Sequence, residues 1–460
     1  MIVLIFNLII TLILMTIFYD FKKGFVLLVL YKIVTPGYIE FRLGAFRFPF
    51  FVVAVLALLL SFYIHKSKRN IRFPKKLKLY YGVGIISTFI LILLSARVVP
   101  ISYQIYSFFK EYIIQDVVLC IIGFYAIADM DRKQFLSLIF TTSIWIGIYG
   151  IITYIIHFNP YVNILSLTYS GEEEAALFFA DSVRGGLRGR IYGTLNHPLA
   201  WGQYWNILIS FSLFFKNTIT KKKFYAVQFL GILNCLFSGS RTAIICLAVA
   251  YFFYLLSGGL KNALQKIVIA FCLIIAVNTF FLPQKSPLKT YIESAIYFWD
   301  DKYARAANVT GSNADMRDSQ LDETIKIGNN NIAGLGYNFQ MYELDNTKVS
   351  IPELLGLESI FFKKVVEQGY IGFIIWLFLF ALFYKVLKNK EKGISGCSKN
   401  FLLEGYFGSF LLSLSFTGQQ GISIFVFSIF SFIYYHFISY DSKNNSLLLV
   451  RQKAKTSKGA

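Results

Sequence analysis

The chain has 460 residues, of which 56% are hydrophobic and only 15% are charged, and its formal net charge is +20. Apolar runs long enough to cross a bilayer recur along its whole length, which no soluble core requires. This composition excludes a soluble globular protein and predicts an all-α polytopic membrane protein.

Twelve apolar segments are predicted to cross the membrane. The first, Met1 to Tyr19, lacks the basic start and the cleavage site of a removed signal peptide. The predicted crossings are residues 2–18, 46–64, 79–96, 112–128, 135–156, 198–215, 224–238, 240–257, 266–283, 358–387, 400–416 and 420–440. Residues 24–45 are either a thirteenth crossing or an interfacial helix. The pair Lys22–Lys23 favours a cytoplasmic position after the first crossing, and therefore thirteen crossings.

The positive charge is concentrated in a few connecting segments, and it predicts their orientation. Residues 65–78 hold seven Lys or Arg and no acid, and residues 216–223 hold four Lys. Residues 388–399 and 441–460 are also basic, and all four segments fall on one side of the predicted bundle. The positive-inside rule makes this the cytoplasmic side. We therefore attribute the charge to orientation and expect no nucleic-acid partner.

Cysteine, histidine and acidic patterns predict no metal site. The five cysteines form no CxxC pair, and the four histidines are scattered. Asp129–Met130–Asp131 resembles an acidic metal-binding pair, but it lies in a short cytoplasmic connection, where we interpret it as a turn.

Two outward connections divide the chain. We predict an N-terminal transmembrane bundle at 1–283 that includes an outward loop at 157–197, a large periplasmic loop at 284–357, C-terminal transmembrane helices at 358–440 and a basic cytoplasmic tail at 441–460. Long connections of this kind are usually functional or disordered.

The first candidate site segment is RIYGTLNHP, which begins at Arg190 and follows Arg188. Pro198 suits the first turn of a helix, and Asn196 is a candidate cap. Arg190 is either a functional group just outside the membrane or an ordinary interfacial charge. For His197 a turn or capping role is favoured over acid–base chemistry.

The second candidate is the segment SGSRTA, in which Arg241 begins a predicted helix and Ser240 or Ser238 caps it. A helix N-terminus already favours anions, and a guanidinium there strengthens this preference. The alternative is an arginine that extends to lipid headgroups. The tight turn before Arg241 favours a position facing other helices.

Arg317 and Glu358 lie within and just after the large outward loop. A carboxylate such as Glu358 beside arginines can accept a proton from a hydroxyl group, although an acid before a helix also simply complements the helix dipole. Several arginines at one membrane face are suited to an anion with many oxygens, such as a pyrophosphate.

These motifs, taken in order, resemble the O-antigen polymerase and ligase superfamily of bacterial inner-membrane glycosyltransferases. The matching segments are RIYGTLNHPLAWGQY, SGSRTAIICL, NIAGLGYNF and LESIFFKKVVEQGYIGF. The resemblance implies a GT-C-like fold of about 12–13 membrane helices, an active site facing the periplasm and a glycan donor carried on a polyprenyl pyrophosphate. It also implies an acceptor that is itself lipid-linked, contact with membrane lipids, a chain-length regulator as a further partner, and no cofactor or metal ion.

The resemblance also implies roles for individual residues. Arg241 and Arg317 would stabilise the leaving pyrophosphate, and Glu358 would orient or deprotonate the acceptor hydroxyl. The residues expected to bind substrate are Arg190, Arg188, His197 and Ser240.

One departure from the family pattern bears on the reaction type. In the ligases a histidine followed by asparagine precedes the E-x-G-x-x-G pattern by nine residues, whereas Glu358–Ser359 stands there in this chain. This favours a polymerase over a ligase that transfers glycan to a lipid A core or a protein. A flippase is less favoured, because it would place charges near the bilayer midplane.

Overall fold

The chain folds into a bundle of apolar helices. The computed structural model describes residues 2–34, 40–43, 46–65, 73–128, 130–161, 190–195, 197–259, 314–345, 351–354, 357–391, 397–418 and 423–437, with the single positions 265, 289 and 293. Eleven of the twelve predicted crossings coincide with helices in these residues. The predicted crossing at 266–283, Arg188 and the tail at 441–460 lie outside the described residues.

The helices of the first half are α1 (Ile2–Tyr19), α2 (Phe21–Val34), α3 (Phe50–Ile64), α4 (Lys75–Leu94), α5 (Ile101–Ser107), a π-helix (Phe108–Val118), α6 (Leu119–Ala128) and α7 (Arg132–Ile156). Those of the second half are α8 (Pro198–Phe214), α9 (Lys221–Phe237), α10 (Arg241–Leu256), α11 (Ala314–Asn330), α12 (Phe339–Asp345), a 3₁₀ turn (Pro352–Leu354), α13 (Ile360–Glu391), α14 (Cys397–Thr417) and α15 (Ser423–Phe437).

Four helical stretches within the described part of the chain are long and apolar enough to cross a membrane. They are Lys75–Leu94, Ile101–Ala128, Arg132–Ile156 and Ile360–Lys388. Shorter apolar helices accompany them, and the whole is the all-α polytopic membrane protein that the composition predicts.

The ambiguous stretch after α1 contains both a helix and a small β-hairpin. Strand β1 (Glu40–Leu43) pairs antiparallel with β2 (Phe46–Pro49). The two strand sequences, EFRL and FRFP, alternate apolar and polar residues with the period of a strand, which overrides helix formation here. The prediction of a crossing from residue 46 was therefore wrong by four residues, since α3 begins at Phe50.

Helix α2 contacts other segments near both of its ends. The N-terminal end of α2 packs against α1, because Gly24 lies against the backbone of Ile17. At its other end the Val34 carbonyl accepts a hydrogen bond from the Tyr161 hydroxyl (2.7 Å), and the Ile33 carbonyl accepts one from Thr194 (3.2 Å).

Helix α8 lies at the centre of the bundle. Every residue from Pro198 to Leu213 is buried, including the large rings of Trp201, Tyr204 and Trp205. A helix that is buried all round belongs to the core of a large helical protein.

The helices alternate in direction, so the bundle has two distinct ends. We call the end that holds His197, Arg241 and Thr417 the arginine end, and the end that holds Lys75, Lys221 and Lys388 the lysine end. Contacts between individual side chains show which helix ends lie together. For example, the ring centroids of Tyr80 and Phe383 lie 5.4 Å apart, which puts the start of α4 beside the end of α13. The predicted basic segments that the structure describes therefore share one end.

Candidate functional site

Arg190 is a buried residue and not an ordinary interfacial charge. Only 4% of its surface is exposed, and its Nε donates to the Ser238 carbonyl (2.8 Å). The next residue, Ile191, donates its backbone N–H to the Phe237 carbonyl (2.9 Å). These two hydrogen bonds hold Arg190 and Ile191 against the turn between α9 and α10.

That turn is shaped by a glycine. Gly239 has a φ of 65°, and a Cβ there would press on the Arg190 side chain, with Nε at 2.9 Å. Only a residue without a side chain combines this left-handed backbone with so close an approach. The Arg190 side chain thus lies directly over the turn that precedes Arg241.

Ser240 caps the helix that Arg241 begins. Its hydroxyl accepts a hydrogen bond from the Ala243 backbone N–H (3.3 Å), which confirms the prediction that Ser240 or Ser238 forms the cap. A Cβ on Gly202 would lie 3.1 Å from both Ser238 Oγ and Ala243 Cβ. The turn therefore packs directly against the first part of α8.

His197 caps α8. Its Nδ1 accepts from the Leu199 backbone N–H (3.1 Å), and Pro198 occupies the first helical turn. The favoured capping interpretation of His197 is confirmed, whereas Asn196, the candidate cap named from sequence, lies outside the described residues. The backbone of His197 is extended, and its ring can therefore accept from the first backbone N–H of α8.

Arg317 and Glu358 form an ion pair. Arg317 Nη2 lies 3.2 Å from Glu358 Oε2, and the two side chains are 25% and 21% exposed. The same nitrogen donates to the Phe416 carbonyl (2.9 Å), and the guanidinium lies 5.5 Å from the centroid of the Phe416 ring. Two residues 41 positions apart are thus brought together at the C-terminal end of α14.

The end of α14 also connects this pair to the central helix. Gln203 donates from Nε2 to Thr417 Oγ1 and to the Gly418 carbonyl, both at 2.7 Å. Gly418 has a φ of 66°, and a Cβ there would overlap the Glu358 carbonyl. Gln203 and Gly418 were not singled out from sequence, although a buried glutamine within an apolar helix is a signal that could have identified the first of them.

Arg241 lies at the same level of the bundle as Phe416. Gly405 of α14 packs against Ala250 and Phe253 of α10, and Gly408 lies 3.9 Å from Val249 when a Cβ is built on it. Residue numbers fall along α10 as they rise along α14, so the two helices are antiparallel. Counting eight residues from this contact along each helix, about 12 Å at the usual rise, reaches Arg241 on one and Phe416 on the other.

A glycine breaks the helix that follows Glu358. Within α13, Gly369 has φ 66° and ψ −174°, and a Cβ there would overlap the Ile332 carbonyl. The segment NIAGLGYNF, residues 331–339, lies along this break. Leu335 donates its N–H to the Val366 carbonyl (2.8 Å), and Gly336 donates to the Glu367 carbonyl (3.2 Å).

The same segment is also hydrogen-bonded to α5 and to the connection between α4 and α5. Ala96 donates its N–H to the Gly334 carbonyl (2.9 Å), and Tyr337 donates its N–H to Gln104 Oε1 (2.8 Å). The glycines expected to mark turns at Gly334 and Gly336 do so with positive φ angles of 79° and 137°. Residues 331–339 are thus hydrogen-bonded both to α13 and to Ala96 and Gln104. These contacts hold the short first part of α13, which begins just after Glu358.

Further charged groups lie beside these contacts. Glu367 is 3% exposed, and its Oε1 lies 3.7 Å from Lys363 Nζ. Asn338 donates to both carboxylate oxygens of Glu111 (3.4–3.5 Å). Burial and, secondly, the charge of Glu111 raise the pKa of the Tyr337 phenol well above its usual value, so this phenol stays protonated.

One comparison with known proteins identifies a family for part of the chain. Residues 226–377 match a family model described as O-antigen ligase. This segment belongs to the O-antigen polymerase and ligase superfamily. It contains Arg241, Arg317, Glu358 and the Gly369 break, whereas Arg190 and His197 precede it. No curated protein matches the chain.

Membership of this superfamily implies a glycosyltransferase-type membrane enzyme of polysaccharide biosynthesis that acts on lipid-linked oligosaccharides. The geometry at the arginine end suits such chemistry, since it combines guanidinium groups with a partly exposed carboxylate. Arg188 lies outside the described residues.

Proposed function

We propose that this chain is a polysaccharide polymerase. It transfers a glycan from a polyprenyl pyrophosphate donor to a hydroxyl of a second, lipid-linked repeat unit, as in the assembly of O-antigen, capsule or exopolysaccharide. The observation that carries the proposal is the Arg317–Glu358 pair at the end of α14, level with Arg241.

In this reaction the acceptor hydroxyl attacks the anomeric carbon of the donor, and the bond from that carbon to the pyrophosphate oxygen breaks. The bonding electrons leave with the pyrophosphate. Arg241 and Arg317 stabilise the growing negative charge, and such donors are worth roughly 3–4 kcal/mol of transition-state stabilisation each. Because guanidinium groups neutralise the leaving group, the proposed reaction needs no metal ion and no cofactor.

Glu358 orients the acceptor hydroxyl and accepts its proton. Its ion pair with Arg317 holds the carboxylate beside the guanidinium group at the end of α14. Arg190 and Ser240 hold the turn that carries Arg241, and we propose that Arg188, Arg190, His197 and Ser240 border the bound donor.

Ligation of the glycan to a lipid A core or a protein is the alternative, and the description of the matched family favours it. Glu358–Ser359 in place of the histidine and asparagine of the ligases supports polymerisation. A flippase remains less favoured, because these arginines lie at one end of the bundle.

The proposed location is the bacterial inner membrane. Basic residues gather at the lysine end, which the positive-inside rule makes cytoplasmic, so the arginine end faces the periplasm. We propose α2 as an additional crossing, the segment 284–357 as the periplasmic loop, and the bundles 1–283 and 358–440 around it. A chain-length regulator is a further proposed partner.

The test is a reaction with purified protein and a defined lipid-pyrophosphate oligosaccharide. The wild type is expected to give a ladder of lipid-linked products. Arg241→Ala should abolish the ladder while the protein still accumulates in the membrane, and Arg97→Ala, a change of an exposed arginine at the same end, should leave it intact. A full ladder from the Arg241 variant would refute the assignment, and transfer only to lipid A core or protein would favour ligation.

A further inference from the structure

A cavity of about 710 Å³ lies at the lysine end, on the opposite side of the bundle from the candidate site. It is bordered by α2 and α7, with Thr16 of α1 at one side. Cavities that bind small molecules usually measure roughly 300–1,000 Å³. Nothing in the proposed reaction uses this space.

Two lysines border the cavity where α2 begins. Lys22 is half-buried and Lys23 is exposed, and both are in the first turn of the helix. Asp20 accepts hydrogen bonds from their backbone N–H groups at 2.9 and 3.4 Å. The acid therefore caps the helix, and both lysines border the cavity.

A third lysine reaches the wall of the cavity from another helix. Lys223 of α9 donates to Ser137 Oγ (2.6 Å) and to Thr141 Oγ1 (2.9 Å), two hydroxyls of α7 that border the cavity. The acid on this side, Asp131, caps α7 by accepting from Lys133 N (3.0 Å) and Gln134 N (3.4 Å). Among the described residues of this region, three lysines accompany two acids, and each of these acids caps a helix.

The rest of the wall is apolar and continues onto the surface of the bundle. Leu30 and Phe135 contribute to it, and Leu27 and Leu138 are 37% and 40% exposed. Because large exposed leucines on a membrane bundle face lipid, the cavity opens towards the bilayer. The occupant must therefore be anionic at the end that meets the lysines and apolar along the rest of its length.

We propose that this cavity binds an anionic phospholipid of the cytoplasmic leaflet. Its phosphate lies between Lys22, Lys23 and the Ser137 hydroxyl, and its acyl chains follow Leu27, Leu30 and Leu138 along α2 and α7. Basic pockets between membrane helices on the cytoplasmic side are suited to such headgroups. The occupant is an amphiphile rather than a free phosphate ion, because the apolar wall is continuous with the lipid-facing surface.

Native mass spectrometry of the full-length protein, released from micelles that contain phosphatidylglycerol and phosphatidylcholine in equal amounts, tests the proposal. The wild type should retain phosphatidylglycerol about tenfold more than phosphatidylcholine. The double variant Lys22→Gln/Lys23→Gln should lose this preference. The matched control is Lys221→Gln/Lys222→Gln, which removes the same charge from exposed lysines at the same end.

A separate variant tests the apolar part without changing charge. Leu30→Trp fills the cavity and should reduce retention of phosphatidylglycerol several-fold, and it keeps the test available if the lysine variant does not fold. Equal loss in both lysine variants, full retention in the Leu30 variant, or displacement of the lipid by soluble glycerol phosphate would each overturn the proposal.

Discussion

The two ends of the bundle each contain an ion pair of the same length in very different surroundings. At the arginine end, Arg317 and Glu358 lie 3.2 Å apart, and at the lysine end Lys388 and Glu404 also lie 3.2 Å apart. Arg317 additionally donates to the Phe416 carbonyl and lies over the Phe416 ring. The Lys388 pair is more exposed, at 41% and 33%. Lys388 likewise donates to the Tyr384 hydroxyl (3.0 Å) and lies 5.2 Å from the centroid of the Tyr384 ring, so the two pairs differ in their exposure to solvent rather than in distance or in the kinds of contact.

The ends also differ in how the backbone is used. At the arginine end, left-handed glycines at 239, 369 and 418 bring separate segments into contact with Arg190, Ile332 and Glu358. At the lysine end, ordinary caps such as Asp20 and Asp131 start the helices. Backbone conformations that only glycine adopts easily are therefore concentrated where we propose the chemistry.

The largest expected effect comes from breaking the pair at the arginine end. Arg317→Ala should lower the rate of glycan transfer about 10²–10³-fold, because charge on the leaving pyrophosphate loses a donor. The rate of product formation from a defined lipid-pyrophosphate oligosaccharide measures this. Lys326→Ala is the matched control, since Lys326 pairs with Glu323 on the same helix but is 67% exposed. An equal loss of transfer rate in both variants would contradict a specific role for Arg317 in the reaction.

A large effect on stability is expected at the helix break. Gly369→Ala should destabilise the protein by more than about 1–2 kcal/mol, the cost of a left-handed conformation alone, because its Cβ also overlaps the Ile332 carbonyl. Thermal unfolding in detergent measures the change. Gly82→Ala in α4 provides the control, since a Cβ there meets nothing within 4 Å and should be neutral or slightly stabilising.

A smaller loss is expected where Arg190 holds its turn. Arg190→Lys keeps the charge but cannot reproduce the planar guanidinium that donates to Ser238 and packs on Gly239, so stability should fall by about 1–3 kcal/mol. Arg97→Lys at an exposed position of the same end should change the unfolding temperature little. An unchanged unfolding temperature in the Arg190 variant would show that burial of this arginine is not a structural requirement.

Much of the architecture was predictable from hydrophobic runs, because the apolar runs within the described residues are helical. The break in α13 was not predictable in this way. It depends on Ile332, which is 37 positions before Gly369, and a glycine in an apolar helix usually indicates only close packing. The small hairpin was missed because its alternation covers just four residues in each strand.

The candidate site was predicted in part. The order of the motifs identified Arg241, Arg317 and Glu358, and the structure brings the last two into contact. The order of the motifs could not identify Phe416 or Gly418. Phe416 contributes its carbonyl and Gly418 a close backbone approach, and neither property depends on a recognisable side chain. Long-range backbone contacts of this kind become visible only when the helices are packed.

The smallest effect is expected for the pair at the lysine end. Glu404→Gln should change the free energy of unfolding by less than about 1 kcal/mol, because Lys388 and Glu404 are largely hydrated and each loses side-chain freedom when they pair. Salt near 1 M, where the screening length is about 3 Å, should remove even this difference. Unfolding of the wild type and the variant at low and high salt measures it. A salt-independent loss as large as that of Arg190→Lys would mean that this pair is held as specifically as the groups at the arginine end, and the contrast between the two ends would then lie only in their backbone.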